Sequence, residues 1–352
     1  MILCYDIGTT HLKGAVVDAE GRAVAGARVP VRWLDGGEPL GCEIDPDAWL
    51  SGLALVTAQL GLRDRERLKG VVVSGNGPTL VAVDAAGEPV GPALGWQDRR
   101  AVAEASLVAE FSGSFLDESF YLPKALWMMR NRPVQYARTR WFLPSAECID
   151  FVLTGHAHRV NPAPLFAELF WNESAIPRVG LDPDRFPPFV ESGERVGVVR
   201  DRAADALGVP EGLPVFAGGP DFLMSILGAA ATQPGRTCDR IGTSEGVNLC
   251  WHRPIQDRRL LCFPTWYTAS TTYRPCCRRR AARSRGRPAR SPASTVTWTR
   301  CLRPPPSPPR APDDCCSCPS SAPSAFPSGI RMPAVPSWAC PTRTGTPRWR
   351  AR

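Results

Sequence analysis

Residues 1–10 read MILCYDIGTT, and residues 11–31 continue as HLKGAVVDAEGRAVAGARVPV. The first stretch alternates as a strand that ends at Asp6. Small, polar Gly8-Thr9-Thr10 links it to two further strands, joined at the turn Asp18-Ala19-Glu20-Gly21. A helix follows: Asp45 suits the N-cap, Pro46 the first helical position, and Trp49, Leu53, Val56 and Leu60 form one apolar stripe. Residues 68–75 (LKGVVVSG) are continuously apolar, as expected of a strand in the middle of a sheet covered on both faces. Residues 79–96 read as strand, turn and strand, and helices are expected at about 98–110, 123–131 and 145–154. Residues 213–219 (LPVFAGG) read as another buried strand and Pro220 to Ala231 as a helix. Strands and helices mix without a simple repeat, which predicts an α/β domain over residues 1–240.

The chain has 352 residues, enough for about two domains at roughly 150 residues each. Hydrophobic residues make up 43% and charged residues 22%, an ordinary globular balance. No apolar run reaches the roughly 18 residues of a membrane helix. The first residues show neither a basic region nor a signal-like apolar stretch, so a cytoplasmic enzyme is the expectation. The net charge of +8 is unevenly placed. Residues 274–352 hold 16 Arg, 16 Pro, 10 Ser and 7 Cys against only Asp313 and Asp314, a net charge of +14, which leaves −6 for the other 273 residues. The body is therefore mildly acidic, and specific nucleic-acid binding is not expected of it. Its six cysteines, Cys4, Cys42, Cys148, Cys238, Cys250 and Cys262, are scattered like reduced thiols. The CCSC run at 315–318 lacks a second pair at zinc-site spacing.

Three segments bear chemistry. In Asp6-Ile7-Gly8-Thr9-Thr10 an acid ends a buried strand, and the turn after it can point backbone N–H groups and hydroxyls at a phosphate. The acid can hold Mg²⁺ through water, and Lys13 can add charge to the same anion. The plainer alternative is a hairpin turn with a capping Asp. In Ala217-Gly218-Gly219-Pro220-Asp221 a strand runs into an acid at a helix start, either a first-turn Asp favoured by the helix dipole or a general base at a cleft. Arg240-Ile241-Gly242-Thr243-Ser244-Glu245-Gly246 is a second turn of phosphate type.

The order D-x-G-T-T, G-G-x-D, G-T-S-x-G carries more than any one of them. With Leu94-Gly95-Trp96-Gln97-Asp98-Arg99-Arg100, Pro123-Lys124-Ala125-Leu126-Trp127, and Gly180-Leu181-Asp182 before Phe186-Pro187-Pro188, it resembles the FGGY family of carbohydrate kinases, from residue 1 to about 264. The resemblance implies two ribonuclease-H-like domains of the actin and hexokinase superfamily, facing each other across a cleft. It implies ATP and Mg²⁺ as cofactors and a small-molecule sugar or polyol as partner, with no membrane involved; a homodimer is open to an intact form. Asp6 then resembles the Mg²⁺-organising acid, and Gly8, Thr9 and Thr10 the first phosphate loop, with Lys13 at a position that is often basic. Asp221 resembles the base that takes the proton of the attacking sugar hydroxyl, and Gly242, Thr243 and Ser244 the second phosphate loop. On the sugar side, Trp96 can pack on the carbon chain and Asp98 or Arg99 can bind hydroxyls, with core filling as the alternative for Trp96. Gly75-Asn76-Gly77-Pro78-Thr79 stands where xylulokinase-like members carry Gln-Met-His-Gly and glycerol kinases an Arg-Glu pair. Asn76 is the hydroxyl ligand this loop offers, and the sugar stays unnamed.

Residues 241–264 read as the start of a C-terminal ATP-binding domain. From about Thr265 the α/β pattern stops, Pro is dense (PPPSPP at 304–309), and the family's Gly-Gly-Gly-x-x-Ser loop is missing. Residues 265–352 are expected to be a low-complexity, disordered tail after a truncated second domain. Read out of frame, a high-GC coding sequence gives this composition; a genuine basic tail and a folded Cys-rich domain are the alternatives. The function expected is ATP-dependent phosphorylation of a sugar or polyol, impaired in this form. The competing expectations are a non-catalytic sugar-binding remnant and a polyanion-binding protein acting through its tail.

Overall fold

The computed structural model describes residues 1–251 apart from 35–37, 63–64, 113–115, 164–165 and 242–244, with the backbone of two later strands. All belong to one unit, residues 1–285. Its strands are β1 (Ile2–Ile7), β2 (His11–Val17), β3 (Ala23–Pro30), β4 (Glu43–Ile44), β5 (Gly70–Gly75), β6 (Leu80–Val83), β7 (Ala93–Leu94), β8 (Trp141–Pro144), β9 (Arg159–Val160), β10 (Phe189–Val190), β11 (Arg195–Val198), β12 (Pro214–Pro220), β13 (Thr237–Ile241), β14 (Glu245–Cys250), β15 (Leu261–Pro264) and β16 (Pro275–Arg280). The helices are α1 (Pro46–Leu60), α2 (Val102–Ser112), α3 (Tyr121–Asn131), α4 (Pro133–Arg138), α5 (Ser145–Thr154), α6 (Phe166–Phe170), α7 (Asp201–Leu207) and α8 (Asp221–Gly228).

The main sheet has the order β11-β12-β5-β1-β2-β3. β1, β2 and β3 form an antiparallel meander, β5 runs parallel to both β1 and β12, and β11 closes the far edge antiparallel. The turn between β2 and β3 is the one the sequence predicts: Asp18 Oδ1 accepts from the N–H groups of Glu20 and Arg22. β5 lies centrally, as its unbroken apolar run requires.

Helix α1 reproduces its sequence signals. The Asp45 carboxylate accepts from Asp47 N–H at 3.0 Å, Pro46 opens the helix, and Trp49, Leu53, Val56 and Leu60 are buried. A cap of this kind contributes about 1 kcal/mol. The stripe packs on the sheet with Leu3, Tyr5, Val71 and Val73, and α5 and α7 add Ile149, Leu153 and Leu207 to the same core. A second core surrounds α3, where Leu122, Leu126, Phe142, Trp171 and Phe222 meet. It includes residues of the smaller sheet β4-β7-β6-β8.

Several boundaries differ from expectation, among them the start of α3 at Tyr121 and the end of α8 at Gly228. β1 runs one residue past Asp6, to Ile7. The helix expected from residue 98 begins at Val102, because the Asp98 carboxylate accepts from the backbone N–H groups of Cys42 and Arg100 and holds 97–100 out of helical geometry. In the short stretch Pro275–Arg280, β16 pairs antiparallel with both β14 and β15. Backbone pairing does not need the apolar alternation that the sequence lacks there. The rest of the Arg/Pro/Cys-rich stretch, and Gly242, Thr243 and Ser244, lie outside the described residues.

Candidate functional site

The parallel strands β1, β5 and β12 end at one edge of the main sheet. Their register sets Ile7 beside Gly75, and Gly75 beside Pro220. Gly8, Asn76 and Asp221 therefore leave the sheet together at its carboxyl edge, where α/β sheets hold ligands. A register shift between Ala217 and Gly219 adjusts the last turn of β12. A Cβ at Gly218 would overlap the Val73 carbonyl oxygen, so the strands approach closely here only because the residue is glycine. Ser74 Oγ–H donates to the Gly219 carbonyl at 2.9 Å and fixes the strand that delivers Asp221.

The turn after β1 is tight. Gly8 N–H donates to His11 O at 3.1 Å, and a Cβ on Gly8 would lie 2.5 Å from that oxygen. Two tryptophans hold Thr9: Trp33 Nε1–H donates to its carbonyl at 2.7 Å and Trp96 Nε1–H to its Oγ1 at 2.9 Å. With its lone pair so engaged, the Thr9 hydroxyl keeps its proton to donate. Thr10 is exposed, and its Oγ1 lies 3.2 Å from His11 Nδ1. Lys13 faces Asp6 across the β1–β2 pair, with Nζ 2.7 Å from Oδ2. Both side chains are partly exposed, so this ion pair orients more than it stabilises. Asp6 Oδ1 is buried and has no hydrogen-bond partner. An uncommitted carboxylate oxygen at a strand end fits a hydrated Mg²⁺, which is bound largely through its waters. Among the described residues no group of three or more His, Cys, Asp and Glu side chains could hold a metal by itself.

On the other side of the edge, Asn76 is buried and its N–H donates to Ile7 O at 2.9 Å. Its Oδ1 accepts from Thr79 Oγ1–H at 2.8 Å, and Thr79 Oγ1 in turn accepts from Trp96 N–H at 3.1 Å. One chain of hydrogen bonds thus runs from Thr9 through Trp96 and Thr79 to Asn76. Asn76 Nδ2 is a buried donor with no partner. It sits in the lining of a small, partly open cleft. Gly75, Gly77, Tyr121, Glu147 and Gly219 share that lining, and Asp221 follows it directly in the chain. Burial lifts the Tyr121 phenol well above its ordinary range, and the carboxylates of Glu147 and Asp221 lift it further.

Asp98 and Arg99 are placed differently from the hydroxyl-binding role expected of them. Asp98 is 2% exposed, and its carboxylate takes hydrogen bonds from Cys42 N–H, Arg100 N–H and the Arg100 guanidinium. Arg99 pairs with Asp117 and Glu118 at 2.6 and 2.8 Å. These residues shape the loop behind Trp96, and the cleft is left to Asn76 and its neighbours.

Lys124 is a residue that the sequence showed without its role. It is 1% exposed, and its Nζ donates to Pro78 O at 2.5 Å and Gly95 O at 2.6 Å, clamping the Asn76 loop to the Trp96 loop. A lysine among the apolar residues of the first two turns of α3 was the signal. Burial pushes its ammonium down from 10.5 to about 7, against the opposing pull of Asp98 and Asp117. The unfolded chain keeps the proton up to its ordinary value, whereas the folded chain releases it near 7. The unfolded state then binds more protons in that window, and stability rises with pH across it. In urea unfolding between pH 7.5 and 10 the parent should gain stability relative to Lys124→Met as pH rises; a pH-independent difference between the two would refute the shift.

A sequence model described as the FGGY family of carbohydrate kinases, N-terminal domain, matches residues 1–228. The xylulose kinase of Staphylococcus xylosus is 27% identical over 264 residues, covering 70% of this chain and 54% of the relative. That of Streptomyces coelicolor is 31% identical over 262 residues, covering 69% and 53%. The chain thus spans about half the length of these curated relatives. Among solved structures, the xylulose kinase of Rhodospirillum rubrum superposes with a TM-score of 0.66 at 24% identity, over 78% of this chain and 60% of that one. That likeness shows the shared ribonuclease-H-like fold. Among the described residues no helix is long and apolar enough to cross a membrane. With its first 228 residues matched throughout, the chain belongs to the FGGY family of carbohydrate kinases.

Proposed function

We propose that this domain binds a sugar or polyol and presents one of its hydroxyls for phosphorylation by ATP. One observation carries the reading: an acid with a free buried oxygen, a tight Gly-Thr-Thr turn, a buried amide donor and a helix-start acid converge where three parallel strands end. In this reading Asn76 and Trp96 position the ligand, and the Asp221 carboxylate takes the proton of the attacking hydroxyl. The Thr9 and Thr10 N–H groups and the Thr9 hydroxyl donate to phosphate oxygens, and Lys13 adds positive charge beside them. Mg²⁺, organised by Asp6, supplies charge neutralisation on the phosphates when bound. Little covalent chemistry falls to the protein; alignment and charge stabilisation do the rest. Gly242, Thr243 and Ser244 complete the phosphate contacts in this proposal, as the start of the ATP-binding half.

A second reading is sugar binding without phosphoryl transfer: the buried Asn76 Nδ2 donor and the whole cleft lining fall within the matched residues 1–228. Coupled ADP-release and calorimetry on one panel (D-xylulose, xylitol and glycerol) distinguish the two. The kinase reading expects heat of binding and ADP release with the same ligand. Heat without ADP supports the binding-only reading, and no heat with any ligand overturns both.

A further inference from the structure

The cleft lining holds a second polar side chain that the sequence reading did not use. Glu147 lies in the first turn of helix α5, and it lines the same cleft as Asn76. Its Oε1 accepts from Val160 N–H at 3.1 Å, which anchors the side chain from behind. The same lining holds the unpartnered Asn76 Nδ2 donor and the Tyr121 phenol, whose O–H donates to Gly77 O at 3.4 Å. Tyr121 is itself held rigid, stacked on Trp171 with ring centroids 4.3 Å apart. A small polyhydroxyl molecule both accepts and donates hydrogen bonds at each hydroxyl. The cleft lining offers it a donor in Asn76 and an acceptor in Glu147.

We propose that Glu147 is a substrate-contacting residue, whose ionised carboxylate accepts a hydrogen bond from a ligand hydroxyl while the Asn76 amide donates to a ligand oxygen. The proposal rests on the sugar-site reading above and deepens it. A hydrogen bond to an ionised carboxylate is roughly twice as strong as one to a neutral acceptor. The ligand therefore favours the charged form of a group that the empty cleft holds partly neutral.

The surroundings explain that balance. Burial raises the Glu147 carboxyl from 4.5 to about 7, and the Asp150 carboxylate on the same helix raises it further. His158 and the Val160 N–H act in the opposite direction. The other charged and titratable groups around it are Tyr121 on α3, Cys148 on α5 and Arg159 on β9. Ligand binding at pH 7 should thus expel a proton from Glu147.

The test uses the full chain and calorimetry with D-xylulose, xylitol and glycerol at pH 6, 7 and 8, in two buffers of different ionisation enthalpy. For a ligand that binds, the expected result is an affinity about tenfold higher at pH 8 than at pH 6, with proton release at pH 7. Glu147→Gln keeps the shape and one acceptor but cannot ionise. Its affinity should stay near the low-pH value of the parent at every pH, with no proton release. Glu147→Asp should restore a pH-dependent step. Urea unfolding of each variant confirms that the fold persists. A parent that binds without a pH step, or a Glu147→Gln variant that keeps the step, overturns this inference and leaves the sugar site standing. If no ligand binds the parent at any pH, the sugar-site reading fails and this inference fails with it.

Discussion

Gly218→Ala should lower the folding free energy by about 3 kcal/mol. The cause is a steric overlap with backbone: the added Cβ falls on the Val73 carbonyl oxygen, and Val73 and Ala217 are register partners. A flexible side chain could swing away, but a carbonyl in the middle of a parallel ladder cannot move without breaking its own pairing. β5 and β12 must separate, or the shift between Ala217 and Gly219 must be rebuilt. In urea unfolding the midpoint should fall by about 1 M, given a slope of roughly 3 kcal/mol/M for a domain of this size. Gly228→Ala is the control, because an added methyl there meets nothing within 4 Å and should shift stability by less than about 0.5 kcal/mol. Equal midpoints for the two variants would refute the close approach. Surviving Gly218→Ala protein should also release ADP slowly, since Asp221 hangs from the displaced strand.

Asp221→Asn carries the largest expected effect on activity. Asparagine preserves the size of the side chain and its place in the first turn of α8, but its amide cannot take up the hydroxyl proton. Loss of a positioned general base typically costs about 10²–10⁴-fold in rate. The ADP-release rate should therefore fall by about 10³-fold, while calorimetric affinity for the sugar changes by less than about threefold. Turnover within tenfold of the parent would remove Asp221 from the role of base. A large loss of sugar affinity would move it from chemistry to binding.

How much of this was legible in advance depended on how local the determining interaction is. The α1 cap, its stripe and the Asp18 turn are contained within a few residues each, and all three stand where the sequence puts them. The motif order named the family because it survives without any knowledge of contacts. Asp98 and Lys124 show the limit. The start of α2 moved because Asp98 bonds to Cys42, 56 positions away, and Lys124 holds carbonyls 46 and 29 positions away. No periodicity encodes such pairs. Glu147 was hidden for another reason: an acid at the start of an apolar helix reads as a dipole-favoured residue until the cleft beside it is seen.

The place of β12 in the main sheet also sets a timetable for synthesis. Ser74 must wait for Gly219, 145 positions later, before the hydrogen bond between them can form. At about 5–20 residues per second, roughly 7–30 s pass between emergence of the two. During that interval β5 has β1 on one side and an unpaired edge on the other, the condition in which nascent chains adhere to one another. Helix α1 and the β1–β3 meander can assemble early, but the carboxyl edge that gathers Asp6, Asn76 and Asp221 is complete only once residue 221 is out. A nascent chain halted before residue 214 has emerged would therefore display an open sheet, whereas one with residue 228 already out would carry a domain able to close.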